Sequence, residues 1–401
     1  MERRTILKTT AALAMAMGLM AAPALAQETL KIGAVGPKTG PLAGGAAVTH
    51  WPNIALWSKE VNERGGIDVG GTKYMVEVIE YDDQTNPAET IAAVTRLATQ
   101  DGADFILAPY STGLNLAAAP IFDRFGYPQI TSTASTDRVA ELSGQFPNLF
   151  FLLGQNSQIV GNAVDILSKL RDAGEMGNKI AMVNVADAFG IELAATAKPI
   201  FEGAGFELVY ETSYPLGTPD LSPVMKAAKA AEPDAFIAWS YPPDTFGLTE
   251  QAIIEDLNVK VFYTAVATAF PAFKGRFGAA AEGIMGIGGV NAESASFQDY
   301  AARHTAATGA APDYWASGMM YASLQILEQA ITGAGTIDRA AVAQYIKDNS
   351  FDTVMGPVDF DENNNNPAYW TVGQWQGDAF RGVASTGREG AVAPMLKAGW
   401  K

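Results

Sequence analysis

Short apolar segments rich in β-branched residues alternate with longer amphipathic segments along most of the chain. In the first part of the sequence this pattern predicts strands at 29–35, 74–81 and 104–108 and helices at 46–63, 87–100 and 114–125. Pro87 falls in the first turn of one predicted helix and Gly102 follows its end, an arrangement typical of helix termini. Alternating strands and helices with short connections favour parallel sheets that helices cover on both faces.

The same rhythm begins again after Phe150. It predicts strands at 179–185, 207–210, 234–239 and 260–263 and helices at 157–172, 191–202, 221–231 and 245–256. Two such series, each of ordinary domain size, indicate an α/β protein with two similar doubly wound lobes.

The last third of the chain departs from this rhythm. It predicts a long helix at 312–332, a shorter one at 338–347, and late strands at 358–360 and 368–374. The acidic and Asn-rich segment 361–366 between the two strands is interpreted as a polar turn and not as a metal site.

The first 26 residues have the pattern of a cleavable export signal. Arg3, Arg4 and Lys8 precede an apolar run at 11–22, and the small residues of Ala24-Leu25-Ala26 follow a proline. We expect cleavage after Ala26. The paired arginines suit the twin-arginine route as well as the general secretory route, and both remain open.

The sequence contains no cysteine, which excludes disulfides and the cysteine that anchors bacterial lipoproteins. We therefore expect a freely diffusing mature protein in a Gram-negative periplasm. Loss of the signal would remove three positive charges and one negative charge, so the net charge of -16 would become -18. Such an acidic chain argues against nucleic-acid binding, and no other segment approaches the length of a membrane span.

No enzyme signature is found. The glycines after the first strand lack the dinucleotide-binding spacing, and neither a phosphate-binding loop nor a nucleophile elbow occurs. With only two histidines, His50 and His304, and no cysteine, a metal site is not expected. The sequence therefore predicts no enzyme activity, no cofactor and no metal.

Several segments, taken together and in order, resemble the leucine/isoleucine/valine-binding proteins, the amino-acid branch of the type I periplasmic binding proteins of ABC importers. They are KIGAVGPKTGP at 31–41, VNERGGI at 61–67, YDDQTNP at 81–87, DAFG at 187–190, AEGIMG at 281–286 and GPVDFD at 356–361. Each is weak alone, but the ordered set covers nearly the whole mature chain.

The resemblance implies two Rossmann-like lobes joined by a three-segment hinge, with crossings near 150–153, 273–278 and 354–357. Lobe one would comprise 27–151 and 277–355, lobe two 152–276 and 356–390, and 391–401 a C-terminal tail. The ligand would lie between the lobes at the carboxyl ends of the strands. The implied partners are a small molecule and, transiently, an inner-membrane permease with its ATPase subunits, and the protein itself would be a monomer.

The family's binding positions match two loops of lobe one and two aromatic residues of lobe two. Tyr110 and Thr112 begin a helix whose N–H groups would receive a carboxylate. A second loop supplies Thr133, Ala134 and Ser135. The cleft walls would be Phe189, Tyr241 and, early in the first helix, Trp51.

Three positions depart from the family pattern. Val266 stands where amino-acid binders carry an acid that pairs with the ligand ammonium, Phe189 replaces a common tyrosine, and Gly45 replaces a common aromatic and opens space. An unpaired ammonium in a closed cleft is costly. The sequence therefore favours a carboxylate without an α-amino group, aromatic or otherwise apolar.

Two alternatives remain at this point. In the first, the ligand is an amino acid or amide, and Asp187 or Asp244 replaces the missing acid. In the second, the protein presents its ligand to a membrane sensor rather than to an importer, and the sequence does not separate these roles.

Overall fold

The computed structural model describes residues 28–288, 292–366, 372–384 and 391–400. The predicted export signal and its cleavage site lie outside this range. None of the helices in the described part is both long enough and apolar enough to cross a bilayer.

The first lobe begins with alternating strands and helices, as predicted. Its elements are β1 (Glu28–Gly36), α1 (Ala43–Thr49), α2 (Trp51–Glu63), β2 (Ile67–Val69), β3 (Thr72–Asp82), α3 (Pro87–Arg96), a π-helical turn (Leu97–Asp101), β4 (Phe105–Leu107), α4 (Thr112–Arg124), β5 (Gln129–Thr131), α5 (Val139–Gln145) and β6 (Leu149–Phe151). The helix predicted at 46–63 is interrupted at His50, just before Pro52 in the first turn of α2, because proline has no amide hydrogen to continue the bonding of α1.

The main sheet of this lobe has the strand order β2-β3-β1-β4. β1 pairs in parallel with both β3 and β4. The strands that follow β1 in the chain are therefore added on opposite sides of it, β3 on one side and β4 on the other. This is the kind of switch point beside which doubly wound sheets bind ligands. β5 and β6 form a separate parallel pair.

The second lobe contains the next run of elements. They are α6 (Asn156–Asp172), β7 (Lys179–Val185), α7 (Ala188–Gly203), β8 (Glu207–Tyr214), α8 (Ser222–Ala230), β9 (Ala235–Trp239), α9 (Pro242–Ile254), β10 (Val261–Thr264), α10 (Pro271–Phe277), a 3₁₀ turn (Gly278–Ala281) and β11 (Met285–Ile287). The remaining elements are α11 (Ala295–Thr308), α12 (Ala316–Ala334), α13 (Arg339–Asp348), β12 (Phe351–Thr353), β13 (Gly356–Val358), β14 (Val372–Gln376) and β15 (Ala379–Ala384).

The sheet of the second lobe has seven strands in the order β15-β14-β11-β10-β9-β7-β8. The strands from β8 to β11 are parallel, and β14 and β15 join antiparallel. Every residue of β9 and β10 is buried, as expected for strands covered by helices on both faces. Here the switch point is β7, with β8 on one side and β9 on the other.

The lobe boundaries differ from the expected ones at two places. The second crossing was expected at 273–278, but β11 follows that segment and pairs with β10, so 277–287 belong to the second lobe. The third crossing was expected at 354–357, but those residues lie in the β12–β13 hairpin, which packs on the first lobe through α12. Sequence rhythm alone did not reveal that a three-residue strand extends the second sheet.

Segment 361–366 is a turn, as predicted, but its second half is buried and lies along the first crossing. Asn364 is 7% exposed and Asn366 1% exposed. The Asn364 side chain donates to the carbonyls of Pro147 and Leu149, and the amide of Phe151 donates to the Asn364 carbonyl at 2.8 Å. The side chains of Asn364 and Asn366 therefore bind the neighbouring backbone, whereas Asp361 and Glu362 face solvent.

The segment 391–400, predicted as a separate tail, packs against the second lobe. The amide of Lys397 donates to the carbonyl of Lys260 at 2.9 Å, and the Trp400 indole donates to the carbonyl of Leu257 at 2.8 Å. Trp400 also packs edge-on against Phe262 of β10, with ring centroids 5.3 Å apart.

Candidate functional site

The two lobes meet at the carboxyl ends of their parallel strands. Side-chain carbons added at two glycines would touch the opposite lobe: at Gly45 of α1 the carbon would lie 3.1 Å from Cγ of Pro242, and at Gly113 of α4 it would lie 3.8 Å from Cβ of Ala188. The candidate site is the cleft enclosed by these contacts.

The first-lobe half of the cleft is built around the start of α4. Ser111 caps this helix, with its hydroxyl accepting from the amide of Leu114, and its backbone adopts a φ of 75° that non-glycine residues rarely adopt. Thr112 is the first helical residue and is completely buried. Strained residues of this kind are often found at binding sites.

The second predicted loop of this lobe is bonded to the first. The amide of Ser111 donates to the Thr133 hydroxyl at 2.9 Å, and the amide of Ser135 donates to the Thr112 hydroxyl at 3.3 Å. Ala134 is buried between them. The structure thus brings Thr112, Thr133, Ala134 and Ser135 together, and the Thr112 hydroxyl keeps its proton available to donate.

Tyr110 accounts for the space expected at Gly45. A side-chain carbon added at Gly45 would lie only 2.4 Å from the Tyr110 hydroxyl oxygen. The expectation of open room at this position is therefore corrected, because the tyrosine occupies it. His50, whose ring lies 6.5 Å from that of Tyr110, has its pKa lowered to about 4 by burial and adds no positive charge near pH 7.

Phe189 and Tyr241 form the aromatic wall of the second lobe. Their rings stack at 4.9 Å with an interplanar angle of 29°, and both residues are buried. Phe189 lies in the first turn of α7, which Asp187 caps by accepting from the amide of Gly190 at 2.9 Å. Tyr241 immediately precedes α9. The two predicted aromatic residues are thus brought together across the switch point of this sheet.

Val266 and Trp51 differ in how deeply they are buried in the protein. Val266 is buried in the loop after β10, and its backbone bonds to the Ser240 carbonyl and the Thr245 hydroxyl. Trp51 is only half-buried; its indole donates to the Pro37 carbonyl at 3.1 Å, and the Lys38 ammonium lies 4.5 Å from its ring. Val266 therefore lies beside Tyr241, whereas Trp51 lies towards solvent.

Four polar residues gather at the carboxyl edge of the second sheet, and we call them the polar quartet: Asp187, Tyr214, Tyr241 and Asp244. Tyr214 ends β8, Asp187 follows β7, and the other two lie at the start of α9 after β9. Asp244 uses Oδ2 to accept from the amide of Tyr241 at 3.2 Å. The sequence marked Asp187, Tyr241 and Asp244, but nothing in it distinguished Tyr214 from a core tyrosine.

Burial dominates the electrostatics of the quartet. It raises the pKa of Asp244 to about 7, with nearby Asp187 adding repulsion, and it raises the pKa of Asp187 in the same direction. The pKa values of Tyr214 and Tyr241 are raised well above 10 by burial and by these carboxylates. No lysine, arginine or histidine of the described chain forms a hydrogen bond or ion pair with any of the four.

A second set of polar contacts joins the lobes beside the cleft, and we call it the inter-lobe latch: Thr136 and Asp137 of the first lobe with Glu192 and Thr196 of α7. Glu192 Oε1 accepts from the Thr136 hydroxyl at 2.5 Å and from the Asp137 amide at 2.9 Å. Asp137 in turn accepts from the Thr196 hydroxyl at 2.7 Å. This pairing could not be predicted from the sequence, because its two halves are more than fifty residues apart.

Within the described ranges, no three or more His, Cys, Asp or Glu side chains are grouped so that they could hold a metal ion. The cleft therefore offers hydroxyls, a helix N-terminus, aromatic faces and two carboxylates.

A family model described as periplasmic binding protein matches residues 29–379. Among curated proteins, the chain is 24% identical over 337 residues to an amino acid binding protein of Pseudomonas aeruginosa, covering 83% of this chain and 86% of that one. It is likewise 24% identical over 341 residues to the Leu/Ile/Val-binding protein of Escherichia coli K12, covering 84% and 88%.

Solved structures share the fold. One is an ABC-transporter solute-binding protein of R. palustris in complex with benzoate, with a TM-score of 0.74 and 20% identity over 92% of this chain and 98% of that one. Another is the LivJ substrate-binding protein of Streptococcus pneumoniae in complex with isoleucine, with a TM-score of 0.75 and 21% identity over 88% and 98%. These relatives are solute-binding proteins and not enzymes. The chain belongs to the periplasmic binding protein family, in its leucine/isoleucine/valine-binding, type I branch.

Proposed function

We propose that this protein captures a small organic carboxylate between its lobes and delivers it to an ABC importer. The observation that carries the proposal is the start of α4, where Ser111 and Thr112 are buried in the cleft and face the stacked pair Phe189 and Tyr241.

A carboxylate suits the first-lobe half for electrostatic reasons. The N-terminus of a 13-residue helix carries partial positive charge and unpaired amides. The Thr112 hydroxyl accepts from Ser135 and keeps its proton for a ligand oxygen. Charge-assisted hydrogen bonds of this kind are worth roughly 1.5–3 kcal/mol each.

Capture would occur by closure of the lobes. Thr112 and Tyr241 belong to different lobes, so a ligand touches both only when the cleft is closed, and contacts made in one state alone shift the equilibrium towards it. The inter-lobe latch adds hydrogen bonds to the same state. Small-angle scattering should therefore report a smaller radius of gyration on binding, and an unchanged profile at saturation would contradict the closure.

The proposed setting is the periplasm, with a monomer that meets a membrane permease and its ATPase subunits transiently. The family, the solved ABC-transporter relatives and the predicted export signal support it. Mass spectrometry of the periplasmic fraction should find a mature chain that begins at Gln27, and a retained N-terminus or a lipid-bound form would contradict this.

The test of ligand class is a thermal-shift screen of aliphatic acids, aromatic acids and amino acids, followed by calorimetry. A ligand at 100 times its Kd should stabilise the protein by about 2.7 kcal/mol. Thr112→Val should then weaken binding by roughly 10- to 100-fold, since it removes a donor to the carboxylate at nearly constant volume.

Thr249→Val is the matched control. Thr249 is also completely buried, but its hydroxyl bonds only to the Thr245 carbonyl within α9. It should leave affinity unchanged. Equal losses in both variants, or a screen in which no carboxylate binds, would refute the proposal.

An amino acid is the second candidate ligand, and a specific observation favours it. Val266 carries no charge, but Asp187 and Asp244 lie in the cleft without a basic partner, at the ends of neighbouring strands. Either carboxylate is placed to offset an ammonium that Val266 does not. The curated relatives are named for amino acids, whereas solved relatives hold benzoate or isoleucine.

A further inference from the structure

Tyr110 lies at the boundary between the lobes, shortly before the start of α4. A side-chain carbon added at Gly45 would overlap its hydroxyl oxygen and lie 3.1 Å from Cζ of its ring, and the same carbon would lie 3.1 Å from Cγ of Pro242 in the second lobe. The tip of the tyrosine ring and Pro242 are therefore neighbours across this boundary. Tyr110 reaches this place because position 45 carries no side chain.

The ring of Tyr110 is fixed by its surroundings. It is 2% exposed, and the ring of His50 lies edge-on to it with the centroids 6.5 Å apart. Burial, with the Asp313 carboxyl nearby, raises the pKa of Tyr110 above its ordinary value, and the Thr49 hydroxyl of α1 lies near enough to act on it in the opposite direction. At neutral pH the side chain is therefore an uncharged aromatic group held against α1.

An apolar groove of about 510 Å³ lies on the outer side of the contact between α1 and Pro242. A space of this size suits a small organic molecule or part of one. Both lobes contribute to its lining, which includes Pro41, Gly44 and Val48 of the first lobe and Pro242, Phe246 and Phe270 of the second. Gly44 lines the groove, whereas Gly45, the next residue of α1, contacts Tyr110, so the groove ends where the tyrosine ring begins.

Tyr110 also adjoins the residues proposed to bind the ligand. Thr112, two residues later, is the first residue of α4. Tyr241 of the aromatic wall has its pKa raised by burial, by Asp187 and by the nearby Tyr110 hydroxyl. Tyr110 therefore lies between the helix start that would receive the carboxylate and the outer groove.

We propose that Tyr110 is the end wall of the cleft and sets the maximum length of the ligand. This inference rests on the proposed capture of a carboxylate and specifies its size: the substrate is a compact acid whose apolar end contacts the Tyr110 ring and does not enter the groove. The space left by truncating a large buried side chain can hold a small apolar group. Removal of the ring should therefore join the cleft to the groove and admit longer acids.

Three series of ligands of increasing length test this by calorimetry: straight-chain carboxylates, straight-chain 2-amino acids, and acids that carry a phenyl ring on a lengthening chain. In the series that the wild-type protein binds most tightly, affinity should fall at least tenfold within two carbons beyond the best member. Tyr110→Ala should bind those longer members at least tenfold more tightly than the wild type does. Tyr110→Phe keeps the ring and should keep the wild-type length limit.

Gly44→Val tests whether the gain comes from the groove. It adds bulk to the groove at a position where an added carbon has no neighbour within 4 Å. It should leave the affinity of the wild-type protein unchanged and cancel the gain for long ligands in the Tyr110→Ala protein.

Tyr127→Ala is the control for truncation of a buried tyrosine. Tyr127 is also buried in the first lobe, but it packs in the core on Phe122 and donates to the Ala103 carbonyl at 2.7 Å. Its loss should leave the length limit in place.

The outcomes separate this inference from the proposal beneath it. If affinity does not fall along the series, or if Tyr110→Ala binds the longer members no better than Tyr127→Ala does, the inference is wrong and carboxylate capture stands. Tyr110→Leu, which also lacks the ring, decides the point if Tyr110→Ala does not fold. If no member of any series binds, both fail together.

Discussion

The two halves of the cleft differ in how their polar groups are paired. In the first lobe, Ser111, Thr112 and Thr133 bond to one another's loops, so their positions are fixed before any ligand arrives. In the second lobe, the Tyr214 hydroxyl and Oδ1 of Asp244 are buried near each other and form no hydrogen bond of normal geometry. The preorganised first-lobe half can bind the carboxylate common to all candidate ligands at low entropic cost. The second-lobe half, whose polar groups are not all hydrogen-bonded, can distinguish ligands by the polar groups that they carry.

The largest expected effect on ligand affinity comes from preventing the two lobes from approaching each other. Gly45→Val should weaken binding by at least 100-fold, because a carbon there would lie 3.1 Å from Pro242 of the opposite lobe and would also push on the Tyr110 hydroxyl of its own lobe, 2.4 Å away. Gly44→Val is the control, since an added carbon there has no neighbour within 4 Å. Adding Tyr110→Phe to a Gly45→Ala variant should recover part of the loss. Equal calorimetric affinities for the two valine variants would contradict a closed cleft at this point.

The unsatisfied half should also affect stability as a function of pH. Folding raises the pKa of Asp244 from 3.8 to about 7, so its ionised form destabilises the ligand-free protein. This cost is small at pH 4, grows as the pH rises towards 7 and is complete above it. Asp244→Asn should therefore stabilise the ligand-free protein by about 2–4 kcal/mol at pH 8 and by little at pH 4. Urea unfolding at both pH values measures this, and a difference independent of pH would count against it.

A smaller effect is expected at the inter-lobe latch. Glu192→Ala removes the acceptor of two inter-lobe hydrogen bonds and should weaken binding by about 5- to 20-fold, since each bond contributes about 1 kcal/mol. Small-angle scattering should also find a larger average radius of gyration for the free protein. Glu202→Ala, on an exposed position of the same helix, should change neither quantity. A closed state unaffected by the loss of Glu192 would mean that the latch follows closure without stabilising it.

The smallest effect is expected at Trp51, predicted from the sequence as a cleft wall. Its indole N–H donates to the Pro37 carbonyl, and the residue is only half-buried. Trp51→Phe should change affinity by less than about threefold, because it alters little buried area. A loss of affinity greater than tenfold, measured by calorimetry, would indicate that Trp51 contacts the ligand directly.

Much of this arrangement was predictable from local patterns. The alternating strands and helices gave both doubly wound sheets, and hydroxyl-rich loops after strands marked Thr112, Thr133 and Ser135. The stacked pair Phe189 and Tyr241 came from ordered motifs shared with a family. These features are predictable because each depends on residues adjacent in sequence or on a strand end whose position is fixed by the sheet.

The features that were missed depend on contacts between distant segments. Gly45 suggested open space, but Tyr110, 65 positions later, fills it. Tyr214 ends a strand predicted to stop at 210, so nothing placed it at the cleft. The short strand β11 carried too little pattern to show which sheet it extends. All three features depend on packing between segments that are distant in sequence, which the hydrophobic periodicity of a single segment does not reveal.

The buried Asn364 joins the first crossing to the segment at 361–366, and this constrains how the lobes can move. Two independent connections would let the lobes twist, slide and bend relative to each other. Because Asn364 bonds to the backbone at Pro147 and Leu149, and Phe151 bonds back to it, these two of the three connections flex together as one unit. Two segments held side by side by hydrogen bonds bend readily perpendicular to the plane that contains both, and they resist shear within that plane. The lobes should therefore open and close by rotation about a single hinge axis, so that one rotation angle describes the path from open to closed.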